Sequence, residues 1–170
     1  SRKAENVLTR SMLTLDIDYA TTTFWDDLIE LYDFTCLIYS THSSTENKPR
    51  LRLIVPLSRE VSPDEYEAVS RKVADMLNIE LFDITTYQAS RLMYWPSTPS
   101  DGRYIYEVQD GEVLNPDEVL NSYPDWTDTS YWPQSSKETE HIHKNNKRLG
   151  DPQEKPGIIG AFCRAYSVSE

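Results

Sequence analysis

Residues 11–18 read Ser-Met-Leu-Thr-Leu-Asp-Ile-Asp, and their strict alternation decides the fold. Leu13, Leu15 and Ile17 fall on one side, Thr14, Asp16 and Asp18 on the other. That is a strand with a buried face and a polar working face. Outward from it, Thr23 can cap a short helix to about Tyr32, with Asp26 and Asp27 in the first turn where the helix dipole favours acids. Phe34–Ser40, rich in aromatic and apolar residues, predicts a second strand, and Arg50–Leu57 a third, with Arg50 and Arg52 sharing a face. The polar stretch Ser43–Pro49 makes them a hairpin with a long tip. Ser62-Pro63-Asp64-Glu65 starts a helix: a capping Ser, Pro at the first position, Glu at the third. Tyr66, Val69, Val73, Met76 and Leu77 then recur at helical spacing to about Asn78. Short strands are expected near Ile79–Ile84, Arg91–Trp95 and Arg103–Val108. The order β-α-β-β-α-β predicts an α+β domain, a mostly antiparallel sheet with helices on one side, of the ferredoxin-like or RNA-recognition-motif class.

The chain has 170 residues, 38% hydrophobic and 26% charged, enough for one domain with a core of its own. No apolar run approaches the roughly 18 residues of a membrane span, and residues 1–20 lack a signal-peptide core. Cys36 and Cys163 stand far apart without Cys-x-x-Cys spacing, which argues against a thiolate metal cluster or a disulfide framework and fits a reducing cytoplasm. A start at Ser-Arg-Lys without Met reads as a cut from a longer protein. Residues 1–136 are expected to form the domain. Residues 137–156, with Lys144, Lys147, Arg148 and two X-Pro steps, read as a linker, and the apolar 157–170 as the start of a downstream connector.

Net charge is −11, against the basic balance of an autonomous DNA-binding domain. The charge is uneven. Tyr104–Ser136 contains seven acids and no Lys or Arg, whereas Lys48, Arg50, Arg52, Arg59, Arg71, Lys72, Arg91 and Arg103 cluster between 48 and 103. A local basic patch can still hold a phosphate.

Four features carry chemistry. Asp16 and Asp18, two apart on a strand, share a face and offer hard oxygen ligands to divalent cations; a solvated strand face has the same pattern. Ser40 and His42 at the end of the second strand could offer a hydroxyl and an imidazole to phosphate oxygens. Arg50 and Arg52 alternate on the third strand, and Asp83 follows the apolar pair Leu81-Phe82.

The order of this set resembles the signature of the archaeo-eukaryotic primase superfamily: paired acids, Ser-x-His, then hydrophobic-Asp. Four stretches are similar to one branch, the phage and prophage primases called virulence-associated protein E-like. They are Tyr39-Ser-Thr-His-Ser-Ser44, Lys48-Pro-Arg-Leu-Arg-Leu-Ile-Val-Pro-Leu-Ser-Arg59, Ser90-Arg-Leu-Met-Tyr-Trp-Pro-Ser97 and Lys155-Pro-Gly-Ile-Ile-Gly-Ala-Phe-Cys-Arg164. The resemblance runs over about residues 10–166. It departs at Ile84, where many relatives carry a second acid. It implies a primase-polymerase palm performing template-dependent nucleotidyl transfer in phage or mobile-element DNA replication. Asp16, Asp18 and Asp83 would hold two Mg²⁺ or Mn²⁺ ions. Ser40 and His42 would contact the phosphates of an incoming ribo- or deoxyribonucleoside triphosphate. Lys48, Arg50, Arg52 and Arg91 are added by chemistry, since Arg binds phosphate bidentately. Implied partners are a single-stranded DNA template and a helicase domain downstream.

Two rival functions fit parts of the chain. His141-Ile142-His143 fits the metal pair of an HUH-type nickase or replication initiator, and Tyr94, Trp95, Trp126 and Trp132 could stack bases in a non-catalytic nucleotide- or single-strand-binding module. The three acids favour the enzyme. Carboxylates beside a triphosphate repel it unless a cation lies between.

Overall fold

The computed structural model describes residues 4–139. Contacts divide the chain into a body of residues 1–134 and a second unit of 135–170. The predicted linker from Glu140 onward, the downstream connector and the His141/His143 pair lie outside the described residues.

The sheet has four strands: β1 (Arg10–Ile17), β2 (Cys36–Ser40), β3 (Leu51–Val61) and β4 (Tyr106–Gln109). Their order is β1-β3-β2-β4 and every pairing is antiparallel. Helix α1 (Phe24–Leu31) joins β1 to β2, and α2 (Pro63–Met76) follows β3. The alternation in β1 works as read. Leu13, Leu15 and Ile17 are fully buried, and they pack with Leu51, Leu53, Val55 and Ile38 beneath Phe24 and Leu28 of α1 and Tyr66, Val69 and Val73 of α2. Ser62 accepts from the Glu65 N–H at 3.3 Å while Glu65 accepts from the Ser62 N–H at 2.8 Å, so the capping box forms, with Pro63 opening the helix. A third helix, α3 (Pro116–Asn121), packs on α2, with Asn115 as its cap. No described helix is long and apolar enough to cross a membrane.

The expected strand near Ile79–Ile84 is mostly a 3₁₀ turn, Ile79–Leu81, followed by a single antiparallel bridge from Phe82 to Ile17. This bridge takes the free edge of β1, where the last strand of a β-α-β-β-α-β sheet belongs. Side chains complete the rest of that edge. Thr86 Oγ1 accepts from the Asp16 N–H at 2.9 Å and donates to the Thr14 carbonyl at 3.0 Å. A hydroxyl facing both ways replaces a ladder rung.

Arg91–Trp95 is not a strand. With the β1 edge taken, the segment has no strand to pair with, and Pro96 and Pro99 remove backbone donors beyond it. It lies across the outer face of the sheet instead, where the Tyr94 carbonyl accepts from Arg52 at 2.7 Å. The predicted strand at Arg103–Val108 does form, as the shorter β4, and adds to the far edge of β2.

Candidate active site

The register brings the chemistry together. Asp16 pairs with Arg52, Arg52 with Tyr39, and Tyr39 with Tyr106, so these four residues form one row across the outer face. Asp83 extends the row. Its N–H donates to the Asp16 carbonyl at 2.9 Å beside the Ile17–Phe82 bridge, which sets the two acids side by side. Asp18 stands two residues on, just past the end of β1.

Each acid meets an arginine. Asp16 accepts from Arg52 Nε at 2.6 Å, Asp18 lies 3.3 Å from Arg50, and Asp83 lies 3.4 Å from Arg91. Asp83 also accepts from the backbone and hydroxyl of Thr85 at 3.0 and 2.7 Å. The first pair is the tight one. Arg52 is 7% exposed and also reaches the Tyr39 hydroxyl at 3.2 Å and the Tyr94 carbonyl at 2.7 Å. Burial opposes its charge, but the hydrogen bonds it donates to Asp16 and Tyr39 outweigh that and raise its pKa above the ordinary arginine value. The arginines of the other two pairs are nearly half exposed and free to exchange partners.

A polar cleft of about 600 Å³ opens beside the Asp16–Arg52 pair, lined by Asp16, Arg52, Gln88, Ser90, Arg91, Leu92 and Tyr94, with Asp18, Arg50 and Asp83 outside its lining. A second cavity of about 450 Å³ shares the Arg52–Tyr94 wall and is lined by Tyr39, Thr41, His42, Trp95 and their neighbours. His42 therefore lies across Tyr94 from the acids, in contact with Ser97 at 3.4 Å. Lys48 sits at the hairpin tip, where it exchanges backbone hydrogen bonds with Thr45.

Ser40 is placed otherwise than its spacing predicts. It lies on the core side of β2, fully buried, and its hydroxyl accepts from the Ile105 N–H at 2.9 Å while its own N–H donates to the Ile105 carbonyl. It closes the β2–β4 edge rather than facing the cleft. Arg52, expected on an exposed face, is buried. Sequence reasoning missed Tyr39, which the register sets in the row beside Arg52, and Thr86, whose hydroxyl bonds the β1 edge at Asp16 and Thr14.

The donor set suits a hard divalent cation, since three carboxylates sit at one corner of the sheet. As the side chains stand, no group of three Asp, Glu, His or Cys among the described residues is gathered to hold a metal ion, and each of these three carboxylates faces an arginine.

Residues 1–135 match the family described as the VapE N-terminal domain. The fold is similar to the AEP domain of the primase-polymerase of cyanophage S-2L, with a TM-score of 0.50 and 14% sequence identity. The match covers 71% of this chain and 64% of that one, so the chain spans less than two thirds of that domain. Among curated proteins none matches.

Proposed function

The chain belongs to the VapE N-terminal domain family, and from that premise we propose that it is a primase-like nucleotidyltransferase domain. It would add ribo- or deoxyribonucleotides to a primer on a single-stranded DNA template in phage or prophage replication. The observation that carries this is the pairing of three acids with three arginines at one corner of the sheet, where Asp16, Arg52 and Arg91 line an open polar cleft. Such a set serves both halves of a metal–triphosphate substrate: guanidinium forks for the phosphates, carboxylates for the cation.

The residues divide the work by burial. Arg50 and Arg91, exposed and singly paired, turn from carboxylate to phosphate when the triphosphate enters. Arg52, held by three partners, stays and orients Asp16. Asp18 and Asp83, so released, together with the Asp16 that Arg52 orients, would hold Mg²⁺ or Mn²⁺. A bound ion would supply positive charge to the reacting phosphate and lower the pKa of the primer hydroxyl. Tyr94 forms the wall between this cleft and the cavity that contains His42, which puts His42 nearer a base or sugar than the Asp83 corner. Ser40, Lys48 and the downstream helicase partner have no part in the chemistry proposed for the cleft.

A primer-synthesis assay with labelled nucleotide, Mn²⁺ and single-stranded template tests this. Asp18→Asn is the cleaner variant, because its partner Arg50 is exposed and the fold does not depend on the pair. Asp18→Asn and Asp83→Asn should abolish incorporation while melting like the wild type. Robust synthesis by either variant would overturn the assignment.

A further inference from the structure

The outer face of the sheet carries a feature that the nucleotide cleft leaves unused. Along the Asp16–Arg52–Tyr39–Tyr106 row, Tyr106 stands three strands from Asp16, about 14 Å at ~4.8 Å per strand. Around it the surface is aromatic and open. Trp95 is 91% exposed, Tyr94 76% and Tyr106 54%, with Tyr104 and Val108 about half exposed. Water-exposed aromatics in one group mark a binding surface far more than they mark chance. Trp126 and Trp132, by contrast, are partly buried and joined by a hydrogen bond from the Trp132 indole to the Trp126 carbonyl.

Charge on this face is balanced, since Arg50, Arg52 and Arg91 are each paired with an aspartate. Glu107 alternates with Tyr106 and Val108 and so falls on the other face of β4, lining a separate cavity beside Trp25. Towards the cleft stand Arg50, Arg52 and Arg91. The aromatic cavity has Tyr39, Tyr94 and Trp95 along its walls and Arg52 at the end it shares with the polar cleft, where Arg91 stands.

We infer that this face is a base-stacking platform for single-stranded nucleic acid, leading a strand from Tyr106 past Trp95 to the cleft. Its role as the template path rests on the proposed function; the binding itself requires neither metal nor turnover. The chemistry selects a nucleic acid over an apolar peptide. Every base offers a π face to Tyr and Trp, and its phosphates meet the flanking arginines. With the net charge at −11, affinity must come from stacking more than from phosphate neutralisation. Contacts from Arg50 and Arg91 alone give a salt slope of about −1.4, at ~0.7 per phosphate for single strands.

The test uses the whole chain without metal. Binding of a labelled twelve-nucleotide oligo(dT) is compared with an abasic strand of equal length and charge. Trp95→Ala and Tyr106→Ala should each weaken oligo(dT) binding about tenfold or more, leave the melting temperature unchanged, and bring oligo(dT) down to the level of the abasic strand. Equal binding of the two strands by the wild type would overturn the inference. So would unchanged affinity in both variants, or a self-association that Trp95→Ala abolishes while oligo(dT) affinity stays the same. The two proposals fail separately. Stacking-dependent binding without primer synthesis removes the enzyme and keeps the platform, whereas synthesis with unaltered binding by both variants removes the platform alone.

Discussion

Replacing Arg52 by Ala should lower the stability of the domain substantially, although an arginine on a polar strand face would ordinarily be replaceable at little cost. Three contacts disappear: Asp16 at 2.6 Å, the Tyr94 carbonyl at 2.7 Å and the Tyr39 hydroxyl at 3.2 Å. Hydrogen bonds from a charged donor contribute about 1.5–3 kcal/mol each when buried. Removing one partner of a fully buried ion pair costs about 3–5 kcal/mol. Here the cleft admits water to Asp16 and to the Tyr94 carbonyl once the guanidinium has gone, so the cost falls to about 2–3 kcal/mol. At about 3–4 °C per kcal/mol for a domain of this size, the melting temperature should drop by about 6–12 °C. The control is Arg50→Ala. Its pair with Asp18 has side chains 45% and 37% exposed, and surface pairs of this kind are worth at most about 1 kcal/mol. Arg50→Ala should melt within about 4 °C of the wild type yet bind nucleotide less tightly. Asp16→Asn should also destabilise, because it leaves the buried Arg52 without its charge partner. Thermal unfolding followed by circular dichroism, with urea titration for the free energies, measures all three. An Arg52→Ala protein melting with the wild type would refute the structural role of the row.

Acid stability should depend on Arg59, which ties the start of α2 to that of α3. Its hydrogen bonds hold the Glu65 and Asp117 carboxyls below their ordinary pKa values. Groups depressed in the fold stabilise it above the ordinary carboxylate range and lose that contribution as pH falls through the depressed values. Melting temperature should therefore be level from pH 7 to about 5 and fall below about pH 4, and the fall should be shallower in Arg59→Ala; identical acid profiles would count against it. Gly111→Ala should cost about 1–3 kcal/mol, because a Cβ there would stand 2.6 Å from the Asp33 carbonyl oxygen. Urea denaturation reads this directly, and a neutral result would mean that the 33–35 backbone yields.

The sequence by itself determined the elements whose signals are local. The alternation of residues 11–18, the Ser62–Glu65 capping box and the helical spacing from Tyr66 to Leu77 each depend on neighbours within a few positions, and each appears as read. The order of chemical groups along the chain was equally legible, and it placed Asp16, Asp18, Asp83, Arg50, Arg52 and Arg91 around one corner of the sheet. Pairing was not legible. Whether an apolar run such as Ile79–Ile84 or Arg91–Trp95 becomes a strand depends on an edge being available, and the single β1 edge is taken by Phe82 and Thr86. Orientation was not legible either. Ser40 and His42 have the spacing of one face, yet the strand ends between them, so Ser40 is buried against Ile105 while His42 lies beyond the sheet. Arg50 and Arg52 look alike in sequence. Only the tertiary structure, which lays Tyr39 and the Tyr94 carbonyl against Arg52 and leaves Arg50 at the sheet end, makes one a fixed, buried part of the outer face and the other an exposed group.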